Sequence, residues 1–321
     1  MQHTPRSNKK RISPRESNVV VLNTPIGTRP VQAAHKAARG SHLVPEQCWV
    51  VEESVLNIDV DQLGGYSLMW TPTHDTPAPY GYTAEDGLLG SDQLPESLAI
   101  TAGFLLSEGI IGSLNDLRCM SVCADTPDVV QVQLGDAAKP KPRRKDVVIN
   151  SSCGICGGRD ELEQSLQQLP KVGQSLQCHG DSFIKLMNDM QQRQTVFART
   201  GGAHCAAIFS ASGDILAQAE DLGRHNALDK VIGECLLQGI DLHGCGVLLS
   251  SRLSLEMVSK AARAGLEIMA AVSAPTSLAI EIAERCNITL CGFVRGERLT
   301  VYSHVQRIGD GLSTEQQQSK I

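Results

Sequence analysis

The chain has 321 residues, of which 41% are hydrophobic, 20% are charged and 3% are aromatic, and its formal net charge is −6. This length is sufficient for one large or two modest domains, and the composition is ordinary for a soluble globular protein. The negative charge argues against a protein that follows a phosphate backbone, and the shortage of aromatic rings argues against base stacking. We therefore expect no nucleic-acid partner, although a small basic pocket for one phosphorylated ligand is compatible with this composition.

The sequence has no apolar run that approaches the ~20 residues needed to cross a bilayer. Residues 1–18 also have no apolar segment suited to secretion. These features predict a cytoplasmic protein without a membrane partner.

The 11 cysteines are odd in number and lack the dense spacing of a disulfide scaffold. We expect reduced thiols, most of them packed as small hydrophobic residues. Cys119 and Cys123 have a CxxxC spacing, but no further Cys or His lies close by in the sequence. We therefore predict buried structural thiols at these two positions.

Residues 1–45 are rich in Pro, Ser, Arg and Lys and predict a mobile basic tail with one weak strand at 19–22. Folded structure is expected to begin near Trp49. At 56–60, Leu, Ile and Val alternate with Asn and Asp, which predicts a half-buried strand. Residues 71–95 are dense in Pro, Gly, Asp and Thr and predict a long surface loop.

A helix is predicted to open at Pro95 and to stop at Gly109, with the apolar residues of 98–106 on one face. Another alternating strand is predicted at 130–134. The segment KPKPRRK at 139–145 follows and is typical of a linker, so we place a domain boundary there. The N-terminal part, 46–145, is expected to be a smaller mixed α+β domain.

From residue 195 onward, the pattern changes to strands that alternate with helices. Strands are predicted at 204–209, 246–250, 267–272 and 289–294, and helices at 228–236, 254–264 and 277–285. Such alternation favours a sheet between helices, in which ligands gather at the loops beyond the strand ends. The second domain is expected at 146–305, followed by a C-terminal tail at 306–321.

The segment with the most chemical information is SSCGICGG at 151–158. Glycines beside Cys153 and Cys156 let the loop bend and let backbone approach both sulfurs. A helix-compatible segment follows, and its N-terminal dipole together with Arg159 would lower the pKa of a thiol, while two acidic residues at 160–161 act in the opposite direction. A thiolate of this kind can accept a sulfane sulfur as a persulfide, which a second thiol can shield or help to release.

Three other interpretations of the CxxC motif are open. It can hold zinc together with Cys178 and His179, it can be a thioredoxin-like redox couple, or its thiols can simply pack. A thioredoxin-like motif is expected directly after a strand of an early βαβ unit, whereas this one follows a linker-like segment. The spacing alone leaves metal binding and sulfur chemistry about equally supported.

Longer segments carry more information than this spacing. They are GFLLSEGII at 103–111, SSCGICG at 151–157, TGGAHCAAIF at 200–209, EDLGRHNALDKVIG at 220–233, SRLSLEMVSKAARAG at 251–265, SAPTSLAIEIAE at 273–284 and TLCGFVRGERLTVYS at 289–303. Together they closely resemble the FdhD family of formate dehydrogenase accessory sulfurtransferases, over nearly everything from about residue 98 to 303. Several segments are long and rich in glycine and polar residues, so a chance match is not expected.

The resemblance implies a sulfurtransferase that takes sulfur from a cysteine desulfurase, carries it as a persulfide and passes it to the molybdenum of Mo-bis-molybdopterin guanine dinucleotide. The sulfurated cofactor then goes to formate dehydrogenase. Carried over by motif, Cys153 is the persulfide residue and Cys156 the assisting thiol. We expect a homodimer and no tightly bound metal. The cofactor-contacting segment of the family falls on Phe293, Val294, Arg295, Gly296, Glu297 and Arg298.

The resemblance also implies a cytidine-deaminase-like, three-layer α/β/α fold for the C-terminal domain. A zinc deaminase needs a His or Cys ligand followed two residues later by a catalytic Glu, and then a PCxxC pair. Here Ala206 stands two residues after His204, and Ser152 precedes Cys153. Deamination is therefore disfavoured.

A second polar group surrounds the start of the helix predicted at 228–236. Its members are Gly201, Gly202, His204, Arg224, His225, Asn226, Asp229 and Lys230. The group can receive a phosphate at the helix start. Equally, Asn226 or Asp221 can cap the helix, and His204 can be a hydrogen-bonded core histidine.

Two alternative functions follow from these features. One is a cofactor-delivery chaperone whose CxxC motif holds structural zinc. The other, more distant, is a nucleotide-modifying hydrolase.

Overall fold

The computed structural model describes residues 25–36, 42–135, 147–149 and 166–309, with 147–149 as backbone alone. The strands are β1 Thr28–Lys36, β2 Leu43–Val51, β3 Ser54–Val60, β4 Gly64–Trp70, β5 Tyr80–Thr83, β6 Gly87–Leu89, β7 Leu117–Cys123, β8 Thr126–Leu134, β9 Val147–Ile149, β10 His204–Phe209, β11 Ile215–Asp221, β12 Gly246–Leu249, β13 Ile268–Ala271, β14 Thr289–Arg295 and β15 Arg298–Val301. The helices are α1 Glu96–Ser107, α2 Gly180–Gln192, α3 Thr195–Thr200, α4 Arg224–Leu237, α5 Leu255–Ala264 and α6 Ser277–Arg285.

The C-terminal half of the chain builds a six-stranded sheet in the order β11-β10-β12-β13-β14-β15. β12, β13 and β14 are parallel, and the other neighbours are antiparallel. α5 and α6 connect the parallel strands as crossover helices. The series predicted from the sequence is confirmed here, and the bounds of β10 and α6 are the predicted ones.

Helices cover both faces of this sheet. On one face, Cys205 and Phe209 of β10 share a hydrophobic cluster with Phe183 of α2. On the other face, Ile208 of β10 belongs to the main core together with Leu228 of α4. Because side chains of a strand alternate between faces, the apolar run of β10 fits a strand that is buried on both sides.

The N-terminal half builds a seven-stranded sheet in the order β6-β5-β7-β8-β3-β4-β9. β3 pairs with β8, and β4 with β9, in parallel, while the remaining pairs are antiparallel. β9 therefore joins the N-terminal sheet although it follows the boundary predicted at 145. The fold as a whole is mixed α/β.

The two sheets are joined where α1 packs against α4. A Cβ added at Gly103 of α1 would overlap the Asp229 carbonyl oxygen, and one at Gly233 of α4 would overlap the Ala99 carbonyl oxygen. The two helix backbones are in contact at these glycines, which is why α1 is buried almost all round rather than on the single face predicted.

A buried lysine holds a third helix to this pair. Lys260 of α5 lies 2.9 Å from Asp229 Oδ2 and 3.0 Å from Glu108 Oε1, and it donates to Ser107 Oγ at 2.7 Å. Burial raises the pKa of Asp229, while Lys260 and Ser107 act against that rise. Since the Asp229 carboxylate binds Ser107 and Lys260 inside the protein, it is not available to a ligand.

The structure corrects two expectations about the N-terminal half. Within the predicted tail, β1 pairs with β2 as a two-stranded ribbon, so ordered structure begins before Trp49. Within the predicted loop at 71–95, β5 and β6 extend the seven-stranded sheet. Both regions are rich in turn-forming residues, which hides the strands in the sequence. β5 becomes a strand by pairing with the distant β7, and its other partner, β6, has only three residues. The strand predicted at 19–22 and the linker at 139–145 lie outside the described residues.

None of the helices in the described part of the chain is both long and apolar enough to span a lipid bilayer.

The close contact of α1 and α4 at Gly103 and Gly233 predicts that a single methyl group added at either glycine lowers the stability of the protein. Gly103→Ala and Gly233→Ala should each lower the free energy of unfolding by about 3 kcal/mol, because rigid backbone leaves no room for the Cβ. Urea denaturation monitored by circular dichroism measures this loss. Gly65→Ala is the matched control, because a Cβ there meets nothing within 4 Å. Equal stability of all three variants would contradict the close helix contact.

Candidate functional site

One edge of the six-stranded sheet collects the polar residues of the C-terminal half. The parallel strands β12, β13 and β14 end there. β10 is antiparallel to β12, so it begins at this edge with His204, which pairs with Asp221 at the end of β11. We call these strand ends and the residues that follow them the carboxyl edge. Ligands of open α/β sheets bind at such edges.

Three helices point their N-termini at the carboxyl edge. α4, α5 and α6 begin at Arg224, Leu255 and Ser277, soon after β11, β12 and β13. The N-cap residues of α4 and α5, Gly223 and Ser254, make no side-chain capping hydrogen bond, whereas Thr276 Oγ1 accepts the Ala279 N–H of α6. Helix N-termini carry partial positive charge and orphan N–H groups, so this edge favours an anion.

The segment 293–298 forms the hairpin between β14 and β15 at this edge. Phe293 donates its N–H to the Ser273 carbonyl oxygen, 3.2 Å away, just beyond β13. The guanidinium carbons of Arg295 and Arg298 lie 5.8 and 5.2 Å from the centre of the Phe293 ring. Both arginines are exposed, as are Gly296 and Glu297 at the turn. The hairpin thus presents two cations at the edge where α4, α5 and α6 begin.

Val294 differs from the rest of the predicted cofactor segment. Its side chain is fully buried in the cluster beneath the sheet, next to residues of α2. Of the six predicted residues, Val294 therefore offers only its backbone to a ligand, and its side chain anchors the hairpin.

His204 is half-buried at the start of β10. Its Nδ1 lies 3.5 Å from Ser250 Oγ, which accepts the Cys205 N–H at 2.9 Å. Burial lowers the pKa of His204, the nearby Arg224 guanidinium lowers it further, and Asp221 opposes both effects. His204 is therefore a neutral imidazole at neutral pH, available as a hydrogen-bonding group at the edge.

Asp221 is fully buried and holds the start of α4 in place. Its Oδ2 accepts the Thr71 N–H at 3.0 Å and lies 2.9 Å from Lys230 Nζ. Its Oδ1 accepts the Gly223 N–H and the Asn226 Nδ2, each at 2.9 Å. Asn226 also donates to the Met69 carbonyl oxygen at 2.7 Å, so it ties α4 to the end of β4.

Lys230 is equally occupied by the protein. Besides Asp221, its Nζ lies 2.7 Å from Glu96 Oε1 and donates to the Thr71 carbonyl oxygen at 2.6 Å and the Glu220 carbonyl oxygen at 3.0 Å. Burial would lower the pKa of Lys230, but Asp221 and Glu96 outweigh it and raise the pKa. The second polar group therefore divides into two parts.

Asn226, Asp229 and Lys230 support the fold, while Arg224 stays near the edge. Burial would raise the pKa of Glu256, but hydrogen bonds and the charges of His225 and Arg224 lower it on balance. This carboxylate in the first turn of α5 thus lies close to His225 and Arg224.

The two glycines of the second polar group lie beside β10. Gly201 ends α3 with a positive φ of 66°. A Cβ at Gly202 would lie 2.8 Å from Val51 Cγ2, so Gly202 lets the base of the β1–β2 ribbon approach the edge.

Cys153 and Cys156 lie outside the described residues. Of the second pair proposed for zinc, Cys178 is half-buried, and burial raises the pKa of its thiol to about 11. His179 Nδ1 lies 3.8 Å from Asp181 Oδ2.

The prediction for Cys119 and Cys123 is wrong in part. Cys119 is half-buried, but Cys123 is exposed at the end of β7. Cys123 is the last residue of β7 and lies at the turn to β8, outside the core. Five other described cysteines are buried as predicted, namely Cys205, Cys235, Cys245, Cys286 and Cys291, whereas Cys48 and Cys178 are half-buried.

A polar cleft of about 590 Å³ lies away from the hairpin, between β11, α4 and the start of α1. Glu96, Lys230 and Glu234 are among its lining residues, and none of the lining residues belongs to 293–298. Lys230 and Glu96 bind each other in this cleft, and the exposed Arg193 is a further lining residue.

Sequence reasoning did not single out Ser250 and Ser273, which lie at the carboxyl edge. Each directly follows an apolar strand, in GVLLS and IMAAVS, and this position was the available signal.

Comparison with known proteins shows the family of this chain. The FdhD/NarQ family model matches residues 91–309. The chain belongs to the FdhD/NarQ family. Within the matched region lie the carboxyl edge, the hairpin and the CxxC motif.

Several relatives are described as sulfur carrier protein FdhD. The protein of Bordetella bronchiseptica is 37% identical over 81% of this chain and 87% of its own length. That of Sulfurisphaera tokodaii is 40% identical over 65% of this chain and 79% of its own. The crystal structure of a protein described as a formate dehydrogenase accessory protein, from Desulfotalea psychrophila, has a TM-score of 0.64 at 22% identity and covers 88% of this chain and 99% of that one. It supports the same overall fold.

The lowered pKa of His204 predicts a dependence of stability on pH. The unfolded chain binds a proton at His204 below about pH 6.5, while the folded protein does so only at lower pH, so folding is penalised as the pH falls through this range. His204→Gln should lose less stability than the wild type between pH 7.5 and 5.5, measured by urea denaturation. His42→Gln, at an exposed histidine before β2, is the control. An unchanged pH dependence in His204→Gln would contradict the assignment.

Proposed function

We propose that this protein is a cytoplasmic sulfur carrier for the maturation of formate dehydrogenase. It takes sulfur from a cysteine desulfurase as a persulfide on Cys153 and transfers it to Mo-bis-molybdopterin guanine dinucleotide before that cofactor enters the enzyme. The observation that carries the proposal is the carboxyl edge, where helices begin and the hairpin exposes two arginines, in a chain whose relatives are described as sulfur carriers.

The sulfur step needs a reactive thiolate. The Cys153 thiolate attacks the terminal sulfur of the desulfurase persulfide, a new S–S bond forms on Cys153, and the desulfurase cysteine leaves as a thiolate. Attack by Cys156 on Cys153 then releases the outer sulfur as hydrosulfide and leaves a disulfide, which a cellular dithiol must reduce. These steps make the protein a sulfurtransferase in which Cys156 assists release.

The buried cysteines of the described structure are poor candidates for this step. Burial raises the pKa of Cys235 and of Cys291 to about 12, and it also raises that of Cys205. Such thiols stay protonated at neutral pH, and the thiol is far less nucleophilic than the thiolate. The glycine-flanked CxxC motif at 151–158 suits the chemistry because it pairs two thiols and lies in a segment that resembles the family.

The carboxyl edge suits the nucleotide end of the cofactor. Each guanine dinucleotide half carries a diphosphate, and arginine forks and helix N-termini are the groups that proteins use for phosphate. In our proposal Phe293, Arg295, Gly296, Glu297 and Arg298 contact the cofactor, joined by the Val294 backbone. His204 and Arg224 complete the pocket.

The same proposal includes the finer architecture. Helices on both faces of the six-stranded sheet support a three-layer, cytidine-deaminase-like C-terminal domain at 146–305 beside a smaller domain at 46–145. A homodimer would suit a cofactor with two nucleotide arms.

Intact mass spectrometry tests the sulfur step. After incubation with cysteine and a cysteine desulfurase, the wild type should gain one sulfur, about 32 Da, that a thiol reductant removes, as expected of a persulfide. Cys153→Ala should gain none, and Cys156→Ala should still be loaded. Cys123→Ala, at an exposed thiol on β7, is the control and should load like the wild type. No gain on the wild type, together with stoichiometric zinc, would favour the zinc-containing cofactor chaperone instead.

Guanosine diphosphate tests the nucleotide site. Isothermal titration should show binding to the wild type that weakens roughly tenfold in Arg295→Gln, because a charge-assisted phosphate contact is lost. Arg118→Gln, at an exposed arginine on β7, should bind like the wild type. Turnover of the nucleotide would instead support the hydrolase.

A further inference from the structure

The Phe293 ring carries two arginines at once. Their guanidinium carbons lie 5.8 and 5.2 Å from its centre, within the range of a cation–π contact. In the part of the chain that the structure describes, the other rings in such contacts carry one cation each, as with Arg199 over Trp49. Phe293 therefore holds an unusual concentration of positive charge at the carboxyl edge.

A bulge in β14 gives Phe293 this position. The register with β15 shifts between Gly292 and Arg295, and Phe293 has a positive φ of 54°, which is rare for a bulky residue. Cys291 and Val294 both remain in the core cluster, so the extra residue is accommodated at the bulge. In consequence the Phe293 side chain is half-exposed outside the core, and the neighbouring Arg295 is exposed.

The backbone around the bulge has little freedom. A Cβ at Gly292 would lie 3.0 Å from the Ser273 carbonyl oxygen and 3.1 Å from the Tyr302 ring. The Phe293 N–H donates to that same carbonyl oxygen. The Phe293 backbone is thus anchored to Ser273, just beyond β13, which fixes the point from which its ring projects.

The two arginines are placed where like charges repel. Arg295 and Arg298 are directly paired across β14 and β15, an arrangement that is unfavourable unless something offsets it. Within the described residues, no carboxylate pairs with either guanidinium. The negative face of the aromatic ring is the group in contact with both.

We propose that Phe293 is a positioning residue, whose ring aligns Arg295 and Arg298 so that they bind one diphosphate group together. This inference rests on the proposed nucleotide site. In it, Phe293 acts by orienting the two arginines and does not contact the guanine base. Long arginine side chains lose conformational entropy when they bind a ligand. A ring that restricts them beforehand reduces this cost and strengthens binding without adding charge.

The test is a mutant cycle on guanosine diphosphate affinity, measured by titration calorimetry. Phe293→Leu should bind roughly five- to tenfold more weakly, as expected for the loss of two exposed cation–π contacts. Phe293→Tyr keeps the ring and should bind like the wild type. Phe293→Asn should bind as weakly as Phe293→Leu. Asparagine adopts a positive φ readily, so its weak binding would show that the missing ring, and not backbone strain, causes the loss of affinity.

The coupling to arginine distinguishes positioning from direct contact. In an Arg298→Gln background, Phe293→Leu should cost less than half of its fold-change in the wild type, because one of the two positioned groups is gone. An undiminished cost would mean that the ring itself contacts the nucleotide and would overturn the inference. So would wild-type affinity in Phe293→Leu.

Two further readouts keep the conclusions separate. In thermal melts without ligand, Phe293→Leu should be only slightly less stable than Phe293→Tyr, because the lost cation–π contacts are exposed. A large loss of stability that tracks the loss of affinity would assign the ring a purely structural role. Failure of the wild-type protein to bind guanosine diphosphate would instead remove the nucleotide site itself, and the inference with it. Normal wild-type binding with no effect of Phe293 would remove the inference alone.

Discussion

The contact between α1 and α4 is the constraint on which the rest of the structure depends. Gly103 and Gly233 let the two helix backbones touch, and this contact joins the seven-stranded and six-stranded sheets around one core. At the two glycines no side chain fits between the helices. Nearby, Asp229 and Lys230 of α4 are buried with partners from α1 and α5 or from the strand ends. Each buried charge is balanced, which is the condition under which such charges are tolerated.

The contact between the two halves of the protein also determines the geometry of the carboxyl edge. Asp221 binds the backbone of Thr71 from the N-terminal half and of Gly223 at the start of α4. The N-terminus of α4 is therefore fixed by residues about 150 positions earlier in the chain. Rigid supports of this kind keep binding groups in place before a ligand arrives. The segment at 220–233 accordingly contains two classes of residue, those that hold the fold and those that face the edge.

The sequence predicted the elements whose signal is local. β10 alternates between two buried faces, and α6 has a helical period between Thr276 and Arg285, so both were found with their bounds. α2 was missed although Phe183, Leu186, Met187 and Met190 have helical spacing, and here the signal was available. β11 was missed because its half-buried residues do not alternate cleanly, and as an edge strand it depends on pairing with β10.

The candidate site was predictable only in part for the same physical reason. The family resemblance indicated the hairpin at 293–298, and its arginines do lie at the carboxyl edge. The roles of Asn226 and Lys230 could not be read from their positions, because a polar side chain near a helix start serves equally as ligand or support. Their partners, Met69, Thr71 and Glu96, are far away in sequence. Only tertiary structure distinguishes the two roles.

The charge arrangement of the edge connects the two halves of the proposed reaction. Helix N-termini and exposed arginines create a positive potential that attracts phosphate. A thiol brought to this edge would experience the same potential, which lowers a thiol pKa and favours the thiolate. The buried thiols of the core have raised pKa values and are insulated from this effect. One arrangement of charge can therefore hold the nucleotide and activate the sulfur carrier, while the packing cysteines stay inert.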